Sequence, residues 1–263
     1  MLLRRITKHV KDQNWFAVGL DFLIVVMGIW VALMVSQWTE KNQQRKDLER
    51  AEAAINTELQ SSYYYAYERL ATTSCRIGQY QQLADMLLDM ETPWPGAPDI
   101  YGEGALTEGR AFKPVLRSPA RPWASIVWDA EIDKGTLDIM DAQKLAQLST
   151  LYQGIKTMQD MQANIFRFES RLQVLANPLD LSMSDRLRYY DILTEADAIA
   201  SLLELGAGAT VNSIETNGLV TFTDTEKAEV RAFLEERNRI RADIYGDCTE
   251  NIILPLLGDN DET

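Results

Sequence analysis

An all-α fold with a membrane anchor is what this sequence predicts, on three observations. A 23-residue apolar run, Phe16 to Trp38, contains one charge, Asp21, and no proline. Two later stretches, Thr39 to Met90 and Asp141 to Ala176, repeat apolar or small residues at three- to four-residue spacing. Proline, glycine and Ser/Thr-x-x-acid signals stand where the other helices should end or begin. The expected architecture is a single N-terminal transmembrane helix continuing into a long stalk helix, followed by a periplasmic antiparallel helical bundle.

The anchor comes first. At about 1.5 Å per residue the run covers roughly 34 Å, enough for a ~30 Å hydrocarbon layer with some tilt. Lipid offers the backbone no hydrogen bonds, so the run must be helical. The tip before it (residues 1–15) carries Arg4, Arg5, Lys8 and Lys11 against Asp12 alone, whereas after Trp38 cations and acids mix. The positive-inside bias therefore puts the N-terminus in the cytoplasm and the rest of the chain in a bacterial periplasm. Trp15 and Trp38 bracket the run as interfacial anchors do. A cleaved signal peptide would have a shorter core and a small-residue exit. The Met34-Val35-Ser36-Gln37-Trp38 exit favours an uncleaved anchor.

Within the run, Gly28, Ala32 and Ser36 form a small-xxx-small row that admits close approach by another helix. Asp21 lies about five residues inside the cytoplasmic end. It either pairs with a cation on a partner helix or reaches the headgroups, being only ~7–8 Å deep.

Beyond Trp38 about 225 residues remain, enough for one helical domain with its own core. Net charge is −13; four cations and one acid give the first 14 residues +3, so the remainder stands at −16. That balance argues against nucleic acid as a partner. The two cysteines, Cys75 and Cys248, both fall on the proposed periplasmic side, where a pair suggests a disulfide. Each is expected in a long helix, one early and one last. Two buried free thiols are the alternative.

Along the domain, residues 39–91 read as stalk and first bundle helix in one piece. Its stripe is Ile55, Leu59, Ser62, Ala66, Leu70, Thr73, Ile77, Tyr80, Ala84 and Leu87. Tyr63, Tyr64, Tyr65 and Tyr67 cover more than one face there, and either pack in the bundle or meet a partner. Residues 92–122 hold six of the eight prolines and form a long loop or lid, in which Trp94 is a reasonable contact for a partner. A short helix then runs through Ile126, Val127 and Ala130 to Gly135. Asp141 caps the next, which Asn177-Pro178 stops. Ser182 to Asp185 resembles a capping box opening a helix to about Leu205, interrupted by Gly206 and Gly208. Gly218 to Phe222 is a brief strand or an extended loop. Thr223 to Glu226 is a second capping box, opening a last helix to about Leu254. The bundle (residues 123–258) gives way to an acidic tail, 259–263.

Two stretches together resemble a known family. QNWFAVGLDFLIVVMGIWVALMVSQWTEK, with its IVVxGIxxAxxxxxW pattern and the following Glu40, is similar to the start of an uncharacterised bacterial single-pass inner-membrane family. Trp128-Asp129-Ala130, Gly135-Thr136-Leu137 and Leu151-Tyr152 are similar to that family's central pattern. The resemblance covers roughly a third of the chain. It implies a helical outer domain on one membrane helix, and it carries no activity onto residues here.

No enzyme is expected. The single histidine, His9, sits in the basic tip, so the domain offers no Ser-His or Cys-His pair. No Gly-rich phosphate loop, metal-spaced cluster or cofactor motif is evident. Tyr189-Tyr190-Asp191 and Glu195-Ala196-Asp197 read as a solvated helix face. The expected function is a non-catalytic accessory or scaffold subunit. Its partners would be the bilayer and other integral membrane proteins or a second copy. A ligand-sensing bundle signalling through a partner is the alternative.

Overall fold

The computed structural model describes residues 15–98, 114–116 and 119–258, with side chains from residue 19 onward. The expected tip cations Arg4, Arg5, Lys8 and Lys11, the Trp15 side chain and the acidic tail lie outside that description. The fold is all-α: α1 (Trp15–Leu70), α2 (Thr73–Leu88), α3 (Ile126–Asp133), α4 (Ala142–Leu172), α5 (Met183–Asn217) and α6 (Asp224–Tyr245), with short 3₁₀ turns between them. The described residues form no strand; Gly218 to Phe222 is extended loop.

Two compact units divide the chain, residues 1–50 and 51–263. In the first, the large apolar side chains from Leu20 to Trp38 are 45 to 70% exposed. The helix is long and apolar enough there to cross a membrane. Gly28, Ala32, Ser36 and Asp21 are exposed on it.

The second unit is a bundle whose directions follow from its pairings. Along α4 and α5, Gln147 meets Asn217, Gly206 meets Met158, and Arg171 meets Glu195. Those pairs run opposite ways, so the two helices are antiparallel, as the short connection between them requires. Arg76 with Glu204, and Arg186 with the Met86 carbonyl, set α2 antiparallel to α5 in the same way. Segment 51–70 of α1 runs parallel to α4, with Glu52 on Lys144, Glu58 on Tyr152 and Arg69 on Gln162.

Helix starts match their sequence signals. Asp141 accepts from Gln143 and Lys144 backbone N–H groups, and Ser182 and Thr223 open complete capping boxes. The α4 stripe is buried at Leu148, Leu151, Ile155, Met158, Ile165 and Leu172. One apolar cluster joins α2, α4 and α5 through Leu83, Leu87, Leu172, Leu175 and Leu193, and draws in Trp94, Val115 and Leu116 from the proline-rich loop. Of that loop, residues 99–113 and 117–118 lie outside the described set.

Four expectations are corrected. The stalk and first bundle helix is broken at Ala71–Thr72. The Thr72 hydroxyl there bonds back to the Glu68 and Arg69 carbonyls, and the freed Ala71 carbonyl accepts from Glu250 N at 3.0 Å and from the Thr249 hydroxyl at 3.2 Å. The break shifts the stripe, and Ile77 ends up exposed. Secondly, α5 runs unbroken through Gly206 and Gly208 to Gly218, whose φ of 59° ends it. Gly206 serves packing: a Cβ there would lie 2.9 Å from Met158. Thirdly, α6 ends at Tyr245, so Cys248 sits in a 3₁₀ turn (Gly246–Cys248) and in no long helix. The fourth concerns Tyr63, Tyr64 and Trp94, offered as a possible partner surface, with packing in the bundle the other reading of the tyrosines. They are only 0, 8 and 2% exposed, because the bundle packs over them.

Candidate functional site

The second half of α1 is the bundle's polar axis. Glu58 accepts from the Val127 and Trp128 backbone N–H groups at 3.0 and 3.3 Å, capping α3 from another helix. The same carboxylate accepts from the Tyr152 hydroxyl at 2.9 Å, and the Trp128 and Tyr152 rings stack with centroids 4.7 Å apart. Burial, aided by Glu58, pushes the Tyr152 hydroxyl up from its ordinary range. One turn and a half further on, Tyr63 and Tyr67 both donate to one oxygen of Glu215, at 2.6 and 2.7 Å. Arg186 closes α2 by donating to the Met86, Asp89 and Thr92 carbonyls. Trp94 joins the same end: its indole N–H donates to the Leu175 carbonyl at 2.8 Å. These are structural roles.

Cys75 and Cys248 form a disulfide across 173 residues, with Cα atoms 4.9 Å apart. It lies beside the α1–α2 break, where Thr249 and Glu250 reach Ala71, so covalent bond and hydrogen bonds fasten the C-terminal segment at one place.

The cavities lined by described residues include two in the bundle. The first, about 350 Å³, lies between α2 and α5, along Ile77, Tyr80, Ala84 and Leu193. Its guanidinium, Arg76, is fully committed: it donates to Glu204 through two nitrogens, at 2.6 and 2.9 Å, and to Asp197 and Ser201. The Asp197 expected on a solvated face is thus a partner of Arg76.

The second, about 270 Å³, lies between α1 and α6 and differs in chemistry. Gln60, Ser61, Tyr64 and Tyr65 come from adjacent turns of α1; Val230, Phe233 and Arg237, at i, i+3 and i+7, form one face of α6. Phe222, Leu254 and Arg121 complete the wall. Arg121 forks onto Glu68, one contact at 2.6 Å, and stands over the Tyr65 ring. Those bonds to Glu68 raise the Arg121 guanidinium, while burial, with Glu68 second, pushes the Tyr64 hydroxyl up to about 12. Arg237 stands over Phe233 at 5.1 Å, and among the described residues it has no hydrogen-bond or ion-pair partner. Its neighbour Glu236 pairs with Arg239 instead. An aromatic box with an uncommitted cation is equipped to hold an anion with an apolar body.

The sequence reading missed Arg121, Arg237 and Phe233. The i, i+3, i+7 spacing on α6 could have signalled Phe233 and Arg237; no local pattern marks Arg121. Among the described residues no group of three or more His, Cys, Asp or Glu side chains is placed to hold a metal ion.

The class these features define is an all-α bundle following an N-terminal helix able to cross a membrane. No protein-family model matches the chain, and no curated protein or solved structure matches it.

Proposed function

We propose that this chain is a single-pass inner-membrane accessory or scaffold subunit without catalysis of its own, anchored through α1 and presenting its bundle in the periplasm. The observation that carries the reading is the change of character along α1. Apolar residues face outward over Leu20–Trp38, while the same helix buries Glu58, Glu68 and Arg69 in the bundle. A helix apolar all round needs lipid or other membrane helices around it. The exposed Gly28-Ala32-Ser36 row and Asp21 favour a neighbouring helix, from another integral membrane protein or a second copy. The basic tip supports a cytoplasmic N-terminus. The Cys75–Cys248 disulfide supports an oxidising compartment for the bundle, and the resemblance to a bacterial inner-membrane family points the same way.

The α1–α6 cavity favours a second reading, a bundle that senses a ligand and signals through a partner protein. Purification from native membranes in mild detergent separates the two. Stoichiometric membrane proteins co-purifying with the chain support the accessory subunit; a lone homodimer stabilised by a small molecule supports the sensor. A C-terminal reporter active in the cytosol would overturn the topology.

A further inference from the structure

We propose that the cavity between α1 and α6 is a binding site for a small organic carboxylate with an apolar body of one or two rings. This goes beyond the accessory-subunit reading, and either can fail alone.

Charge selects the head. The lining holds two guanidiniums, Arg121 and Arg237, and no carboxylate, in a chain whose net charge is −13. Glu68 lies behind the wall and neutralises Arg121, which leaves the Arg237 charge uncompensated by any hydrogen bond among the described residues. A half-buried guanidinium without a partner costs free energy that a bound anion recovers. A carboxylate accepts two parallel N–H bonds from such a fork, whereas an ammonium would meet the like charge of Arg237.

The walls select the body. Tyr64 packs edge-on against Tyr65 and Phe233, with centroids 5.7 and 5.3 Å away, and Phe222 closes the far side. Arg237 stands over Phe233, so its ring-facing side is spent and its N–H edge remains for an acceptor, whereas Arg121, over Tyr65, already gives Nε and Nη2 to Glu68. A volume of about 270 Å³ is at the small end for ligand cavities, which limits the body to one or two rings. Inorganic anions would leave the aromatic half of the wall unused.

The test uses the full chain in nanodiscs of zwitterionic lipid, titrated calorimetrically with 2-naphthoate after subtraction of empty nanodiscs. Acetate (head without body) and 2-naphthylmethylammonium (body with the opposite charge) are the comparison ligands. Saturable one-to-one binding of 2-naphthoate is expected, with both comparison ligands at least about tenfold weaker. Arg237→Gln should weaken 2-naphthoate about tenfold. Arg167→Gln, which removes an exposed charge on α4, should leave it unchanged. The ligand comparison needs no variant, so it decides even if Arg237→Gln folds poorly. Absence of saturable binding, equal binding of the ammonium, or an Arg237→Gln protein that binds as the parent does would each overturn the site.

Discussion

One helix, α1, obeys opposite burial rules in its two halves. Over Leu20–Trp38 every large apolar side chain is well exposed; over Ala51–Leu70 apolar Ile55, Leu59 and Tyr63 are buried, and with them the charged Glu68 and Arg69, at 4 and 3%. Backbone geometry and helix propensity are common to both. What differs is the surroundings each half is written for. Among the described residues the first half carries polar contacts within its own turns alone, such as the Thr39 hydroxyl on the Val35 carbonyl. The second half draws its register from placed charges: Glu58 fixes α3, Glu68 fixes Arg121, and Arg69 ties Pro119 and Gln162. Apolar surface supplies bulk affinity, and paired charges specify where each neighbour sits.

The largest expected effect separates the halves by pH. Burial pushes the Tyr64 and Tyr67 hydroxyls up to about 12, and raises those of Tyr63, Tyr80 and Tyr152 as well. An unfolded tyrosine titrates near about 10. The fold therefore favours the neutral phenols. Their stabilisation is fully present below pH ~10 and is lost as pH rises through about 12. Tyrosinate absorbance followed with near-UV circular dichroism should show ionisation and unfolding together in that window. The apolar run contains no tyrosine, so the chain should stay in the membrane through the same wash. Free titration of all ten tyrosines at the unfolded value, with the bundle intact, would break the contrast.

Second in size is the bond that closes the bundle. Replacing Cys75 and Cys248 by serine opens a loop of 173 residues and should cost about 2–5 kcal/mol. Urea unfolding measures the loss. Hydrogen exchange should also rise across 249–257, because Thr249 and Glu250 depend on the same junction. Unchanged exchange there would mean that the hydrogen bonds to Ala71 hold the segment unaided.

Arg76→Met comes next. It strands Glu204, whose side chain is 12% exposed, while Asp197 at 49% turns to water and contributes little. A loss of about 3 kcal/mol is expected, and a second change, Glu204→Leu, should recover most of it. A double variant as unstable as the single one would show that packing, and not a stranded charge, is what Arg76 provides.

These cases also mark what was legible in the sequence. The caps Asp141, Ser182 and Thr223 were readable because capping is local, complete within four residues. So was the α4 stripe, because periodicity declares a buried face without naming what covers it. The break at Ala71 was not, since its cause is a carbonyl taken by Thr249 and Glu250, far along the chain. Gly206 carried a helix-breaking signal, and only the approach of Met158 explains its place inside α5. Tyr63 and Tyr64 stayed open between core and partner surface because aromatic clusters mean either, and Trp94 was read from its proline-rich loop alone. The α1–α6 cavity was hidden for a similar reason. It depends on Arg121 meeting Glu68, 53 residues apart, and on a proline-rich loop whose path no periodicity describes.

The smallest effect on stability is expected from Gly28→Leu, and it sharpens the contrast most. A Cβ at Gly28 has nothing among the described residues within 4 Å, so bundle stability should change by less than about 0.5 kcal/mol. Added apolar surface also leaves membrane insertion intact. Only a neighbouring helix packed on the Gly28-Ala32-Ser36 row would notice the added bulk, because such rows work by close backbone approach. Loss of co-purifying membrane proteins, with melting and insertion unchanged, is therefore the expected outcome. If Gly28→Leu retained every partner, the row would be a composition of small residues without a contact. The exposed half of α1 would then be an anchor in lipid and nothing more.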